Sequence, residues 1–584
     1  MTLTLDQLPN EIIFQILLCI PPTSVPALQQ VSKQFNDLSQ PLLWRYHCSK
    51  SFHYWSPEHA IDEKFNGPVA KVDWKNVFAQ RRQIDRSISR ETDSILGSQV
   101  GRIEKTSRIV EYGYDAKDTL LRHMSVADDA DDVLARRFYS GVVLGSLHRT
   151  MAIREWVKLN DGQATSLERA LAAFDMFVLE RRKGDFNEVS SLLDQLAERF
   201  RLQCPNFADQ SPRGRTVALA AYLRKENLTG VQGDSHYHDL QNNFIGVALQ
   251  DPDHPSLPLI SVAIFCCIAH RIGLHAYPCG FPFHVLATVK PPSGLDLDGD
   301  SVPSGVVPSL MYMDPFRSSE ETELPDLRAQ LQSLGIPVQN HQEFLDASPI
   351  DEIVRRSAKN IITSMSTVPR NRGPGSRSST SFLDPDGALY AAFWALILLQ
   401  NGDHHANSIQ RARFLDFIVE RLETQSPMDV GLIEAYLLPL LENPSQHGGL
   451  LDTIRVIRRG DLMPKHPKGR TTPETREIKY KIGQVFHHKR YHYNAVITGW
   501  DIKCEADSDW MAHMRIHELS RGQHQSFYHV LVDDSSVRYV AEDNIEIIHE
   551  AGPELMALAG QHFKRWDKVS RTFVSNIKDE YPDD

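Results

Sequence analysis

The chain has 584 residues, 41% of them hydrophobic and 24% charged, with a formal net charge of −12. This composition fits a soluble protein of three to five domains and speaks against generic nucleic-acid binding. No uninterrupted apolar stretch is long enough to cross a bilayer. Seven cysteines, scattered apart from Cys266-Cys267 and lacking Cys-x-x-Cys spacing, fit neither a disulfide scaffold nor a thiol zinc site. A reducing compartment, cytoplasm or nucleus, is expected, with no metal and no cofactor. In the first fifty residues Pro9 suits the first turn of a helix, and Ile12, Ile13, Ile16, Leu17 and Ile20 recur at helical spacing until Pro21-Pro22. A second helix carries Leu28, Val31, Phe35 and Leu38, and Leu42, Leu43 and Trp44 begin a third apolar patch after Pro41. A module of about forty-five residues is near the lower size limit for an independent core, so its apolar stripes call for a partner protein. A secretory signal is the poorer reading, since Asp6 and Glu11 precede the apolar run and Gln15 interrupts it.

The succession Leu5-x-x-Leu8-Pro9-x-Glu11-Ile12-Ile13, then Leu28-x-x-Val31-Ser32-Lys33-x-Phe35-Asn36, then Leu42-Leu43-Trp44 resembles an F-box over residues 3 to 48. The resemblance implies a helical domain, placed at 1–50, that docks on a Skp-type adaptor and thereby on a cullin ubiquitin ligase. The adaptor contacts would be Leu8, Pro9, Ile12, Ile16, Leu17, Leu28, Val31 and Trp44.

Residues 51–130 read as a helical linker, with Trp74, Val77 and Phe78 as a narrow stripe on a polar helix. From 131 to 365 comes the region with the chemistry. Helical patterns at Val133 to Ile153, Leu167 to Phe174 and Val189 to Phe200 precede Pro258-Leu259-Ile260-Ser261 and an almost wholly apolar helix through Ala269, closed at Gly273. Strand-like runs His275 to Cys279 and Val285 to Val289 enclose Gly280-Phe281-Pro282-Phe283-His284, and Met311-Tyr312-Met313-Asp314 follows a Pro/Gly/Asp-rich loop. This order of helix, strand, His, strand and Asp resembles the SirB-type transglutaminase-like domain of the papain-like cysteine-hydrolase superfamily. Active members place a Cys at the helix N-terminus with a His base and an orienting Asp. His284 and Asp314 match base and orienter, while the nucleophile's place falls near Pro258, within Ser256 to Ser261, where no thiol stands. Cys266 and Cys267 lie about 12 Å into the helix and read as core. The expectation is an α+β domain without cysteine-hydrolase activity, with no assigned catalytic residue and His284 and Asp314 as a vestigial pair. A satisfied half-buried histidine is an equal reading of His284 taken alone.

A disordered basic linker is expected at 366–386, a helical segment at 387–460 and a second linker at 461–475. Residues 476–550 alternate β-branched and aromatic runs with Gly and Asp turns, the pattern of a small all-β barrel, and 551–584 are read as a helical tail. Gly483-Gln484-Val485, Phe527-Tyr528-His529-Val530-Leu531 and Tyr539-Val540-Ala541-Glu542 resemble the YccV-like, or HspQ-type, domain, a hemimethylated-DNA-binding or protease-adaptor fold. From 476 to 548 nine Lys/Arg stand against eleven Asp/Glu, net −2, so protein is the expected ligand and DNA is not. Trp510, Tyr528, His529 and Glu542 are the client-binding candidates, with barrel core an equal reading of the aromatics. The region is histidine-rich, yet its spacing makes no convincing zinc site. An F-box, a SirB-type domain and a YccV-like domain in this order resemble an F-box-only subfamily. That implies a substrate receptor of a Skp–cullin–F-box ligase, partnered by adaptor, cullin and protein clients, with no membrane. A cysteine-independent hydrolase or transferase using His284 and Asp314, and a DNA-associated scaffold, are the two rivals.

Overall fold

In a computed structural model of the chain, the described residues are 8–39, 41–179, 185–231, 236–303, 305, 308–367, 383–400, 404–441 and 443–584. They fall into two units, one holding the residues up to Ser146 together with Arg455–Asp584, the other Leu147–Ile454.

The first unit opens with α1 (Asn10–Leu18), α2 (Val25–Gln29), α3 (Lys33–Leu38) and α4 (Leu42–Ser51). The single second helix expected from the sequence is two, because Ser32 is extended and its hydroxyl accepts the Phe35 N–H at 3.2 Å, capping α3 anew. Ile13, Leu17, Val25, Phe35, Leu43 and Trp44 form one core with Phe52, Trp55, Trp74 and Phe78. The module is therefore less dependent on a partner than its size implies, since the helix Trp74–Gly97 covers α4 from within the same chain. Beneath that core the fully buried Arg81 lies 3.6 Å from Asp115 and 3.4 Å from Asp118, with its guanidinium over the Phe52 and Trp55 rings. Two carboxylates and two aromatic faces supply what water would otherwise give this charge.

In the second unit β1 (His275–Cys279), β2 (Leu286–Lys290), β3 (Met311–Met313) and β4 (Glu321–Thr322) pair antiparallel in that order. The helix Pro258–Arg271 packs on β1 and β2 and is flanked by the helices Leu167–Val178 and Phe186–Gln203. Every residue from Pro258 to Ala269 is buried, which is why that stretch shows no polar stripe. Gly273 closes the helix at φ +82°. The helix Pro385–Leu398 packs on Leu167–Val178 and on Ile350–Thr367. Of the linker expected at 366–386, residues 368–382 lie outside the described residues.

The C-terminal part of the first unit contains β5 (Val485–His488), β6 (Asn494–Asp501), β7 (Phe527–Val532), β8 (Val537–Ala541) and β9 (Ile545–Ile548), an antiparallel sheet in the order β8-β7-β6-β5-β9. A hairpin, β10 (Phe563–Asp567) and β11 (Thr572–Ser575), follows. Among the described residues β8 and β9 do not pair, so the sheet is open where a barrel was expected. The tail at 551–584 also departs from expectation: beyond the short helix Pro553–Leu558 it is this hairpin, whose Phe563 and Phe573 are needed to complete the core around Phe486, Trp500 and Tyr528. Gly483 makes the docking possible. At φ +87° its carbonyl accepts the Phe573 N–H at 2.9 Å, and a Cβ there would stand 2.0 Å from the Phe573 oxygen. The segment 464–473, expected as linker, is tied to this domain. Arg470 donates to the Ile478 and Tyr480 carbonyls at 2.6 and 2.8 Å and pairs with Asp584 at 2.9 Å, and Lys468 reaches Asp501 at 2.6 Å. Its cations find carboxylates and orphan carbonyls in place of solvent.

Candidate functional site

The adaptor-binding set divides by burial. Leu17 and Trp44 are 1% and 3% exposed and belong to the module's own core, so they hold its shape and are not free for contact. Leu8, Ile16 and Leu28 are half-buried; Pro9, Ile12 and Val31 face solvent, Ile12 at 48% and Val31 at 68%. The Gln34 side chain donates to Asn10 Oδ1 at 2.9 Å, which sets the start of α3 beside the start of α1. Leu42, 52% exposed, is a further outward apolar residue that spacing alone did not single out.

In the second unit the β2–β3 register, with Ala287 opposite Met313, brings the residues just outside each strand together. His284 Nε2 lies 2.8 Å from Asp314 Oδ2, with both side chains largely buried. Asp314 Oδ1 also accepts the Arg317 N–H at 3.2 Å, and the Phe316 ring stands edge-on to His284 at 6.0 Å. The 314–316 turn is joined to the helix start, because Thr229 Oγ1 donates to the Pro315 carbonyl at 2.8 Å while the Gly230 N–H reaches Ser261 Oγ at 3.1 Å and Ser256 Oγ at 3.3 Å. Pro258 is the first residue of that helix. Ser256 and Ser261 are fully buried and bond each other at 2.7 Å, so their hydroxyls fix the loop at residues 229–230. Cys266 and Cys267 are buried in the helix core, and burial pushes both thiols well above their ordinary value, away from thiolate. Phe283, 91% exposed at φ +62°, stands immediately before His284.

In the C-terminal domain Trp510 is half-buried and His529 exposed, and both lean on Tyr539, at ring distances of 5.8 and 4.7 Å. Glu542 pairs instead with Arg521 at 2.9 Å. Tyr528 is fully buried, its hydroxyl donating to Glu542 at 3.2 Å and accepting the Tyr480 N–H at 3.2 Å. It is therefore not a surface residue: β7 is covered on both faces, Tyr528 entering the core shared with the hairpin and Phe527 the cluster with Cys504 and Ile516. Asp501 receives His529 at 3.1 Å, Lys468 at 2.6 Å and the Tyr539 hydroxyl at 2.8 Å. Burial alone would raise its carboxyl, but these three donors outweigh it and hold the group well below the usual carboxylate range. Among the described residues no cluster of three or more His, Cys, Asp or Glu is placed to hold a metal, and no helix is long and apolar enough to cross a membrane.

Three family descriptions match the chain: F-box-like over residues 5–50, Transglutaminase-like superfamily over 187–359, and Hemimethylated DNA-binding protein YccV like over 478–570. The last takes in β10 and ends before β11. A protein of Pongo abelii named F-box only protein 21 is 25% identical over 333 residues, 56% of this chain and 48% of that protein. The proteins of that name from Mus musculus and Homo sapiens are 33% identical over 147 residues, 24% of this chain and 23% of theirs. The chain thus aligns with less than half the length of these curated relatives. No solved structure matches it. F-box-like, transglutaminase-like and YccV-like domains follow one another in this chain, which is similar in sequence to F-box only protein 21.

Proposed function

We propose that the chain is the substrate-recognition subunit of a Skp–cullin–F-box ubiquitin ligase, in which the N-terminal module holds the adaptor, the later domains select the client and ubiquitin transfer takes place on other subunits. The observation that carries this reading is an F-box-like module that buries its own core against the following helix yet leaves Pro9, Ile12 and Val31 exposed. Exposed aliphatic side chains on a small helical domain are what a partner covers. The transglutaminase-like domain is read as a binding surface without turnover. Support comes from Pro258 at the helix start, from Ser256 and Ser261 engaged with Gly230, and from the burial of the Cys266 and Cys267 thiols in the helix core. The test is capture of a Skp-type adaptor and its cullin by the full-length chain, followed by client ubiquitination in a reconstituted ligase. A chain that binds no adaptor overturns the reading.

The retained His284–Asp314 pair, tied through the 314–316 turn to the helix N-terminus, favours one rival, a cysteine-independent hydrolase or transferase. Amidase or transamidase turnover that His284→Ala removes without lowering the melting temperature would establish it.

A further inference from the structure

We propose that the YccV-like domain carries a cleft for a short acidic peptide segment bearing an aromatic side chain, seated between β8 and the connection from β6 to β7. This deepens the receptor reading above, and rests on it, by naming the chemistry of the client.

The β6–β7 connection folds the helix Ser508–His513 over the sheet, and Ile516 and Cys504 bury against Phe527 and Ala541. Trp510 is left as one wall, tilted over Tyr539. The opposite wall comes from the β5–β6 hairpin, where Arg538 lies over the Tyr493 ring at 4.2 Å and Arg490 over Tyr491 at 5.5 Å. The enclosed space is about 570 Å³, within the usual range for sites that take a small ligand, so it suits two or three residues and not a folded surface. Three properties point to the occupant. The lining contains two arginines and no carboxylate, in a chain of net charge −12. Arg538 is already paired with Asp534 at 2.6 Å, whereas Arg490 is exposed and has no carboxylate partner among the described residues. The wall is also set in advance: the buried His488 Nδ1 accepts the N–H groups of Arg490 and Tyr491 at 3.2 and 3.1 Å, fixing the turn that presents them. One free guanidinium beside fixed aromatic faces matches one carboxylate next to one ring. A nucleic-acid strand needs a row of cations following its backbone, and a single unpaired arginine in a domain of net −2 does not provide one.

The experiment titrates the full-length chain into a fluorescein-labelled ten-residue peptide containing one phenylalanine flanked by aspartates, read by anisotropy at about 0.15 M salt. Binding in the micromolar range is expected, weakened at least tenfold when the phenylalanine becomes alanine or the aspartates become lysines. Arg490→Glu, at an exposed position, should produce the same loss with unchanged melting, and Trp510→Ala a similar one. The cleft is overturned if the peptide does not bind, if Arg490→Glu leaves its binding intact, or if a single-stranded or hemimethylated oligonucleotide binds more tightly and displaces it. Adaptor capture is measured on the same preparations. Adaptor bound without peptide sinks the cleft and leaves the receptor reading standing, while peptide bound without adaptor does the reverse.

Discussion

Replacing Ile12 and Val31 together by alanine tests the F-box reading at the two positions where the structure leaves apolar surface uncovered. Full burial of an isoleucine or valine side chain contributes about 1.5–3 kcal/mol. Ile12 is 48% exposed and Val31 68%, so a partner that covers them gains about half to two-thirds of that from each. The double substitution should then cost about 2 kcal/mol of binding, roughly thirtyfold in Kd. Aspartate at either position should cost more, because an unpaired carboxylate is carried into the interface. Folding should hardly change, since neither side chain lies in the core. Trp44→Ala is the contrasting control: it empties an interior site and should cost about 3–5 kcal/mol of stability before binding is even asked about. The assay is titration of immobilised Skp-type adaptor with full-length variants, beside their thermal melting curves. A double alanine variant that melts like the wild type and binds within threefold of it would refute the argument that these exposed positions belong to the docking face.

Native alkylation should modify the exposed Cys19 and the half-buried Cys204 and spare Cys266 and Cys267 until denaturant is added; rapid native labelling of either paired thiol, read by peptide mass mapping, contradicts their placement in the helix core. Gly483→Ala should loosen the β10–β11 hairpin, because its Cβ meets the Phe573 carbonyl at a φ of +87°; hydrogen exchange across 563–575 should rise while protection of the second unit stays as it was. Asp175, fully buried with its carboxylate on the Val247 N–H at 3.1 Å, is raised to about 8 by burial. The fold keeps a proton that the unfolded chain releases near pH 4, so this group makes stability fall as pH rises from about 4 to 8; Asp175→Asn should flatten that slope in urea midpoints, and an unchanged slope would show that Asp175 is not its source.

Much of the fold was legible because it is written locally. The helix Pro258–Arg271 and strands β1 to β3 follow from runs of apolar residues and a closing glycine, and His284 and Asp314 from their order around those strands. What failed to show was written at long range. Nothing in 464–473 reveals that Arg470 and Lys468 will meet Asp584 and Asp501, so a basic, proline-rich stretch reads as a linker. The hairpin at 563–575 was hidden because its strands are short and partly polar on the outside, and because the reason for them, the uncovered core around Phe486 and Trp500, lies some seventy residues upstream. The break between α2 and α3 turned on one serine hydroxyl in a helical-looking stretch.

The two sites differ for the same reason. A His and an Asp at fixed places around two strands are recognisable by residue type alone, and the β2–β3 register only completes their pairing. A recognition cleft is made of aromatics and arginines that serve equally well as core or as wall, and only packing decides between them. Tyr528 and His529 are neighbours on β7, yet one is sealed under the hairpin and the other stands at the surface against Tyr539. Tyr491, Tyr493 and Arg538 had no motif to mark them, because their relation is set by a hairpin turn that the buried His488 holds in place. Leu17 and Trp44 make the same point within the F-box-like module: they share its apolar pattern with Ile12 and Val31, yet the fold buries the first two in its own core and leaves the other two exposed.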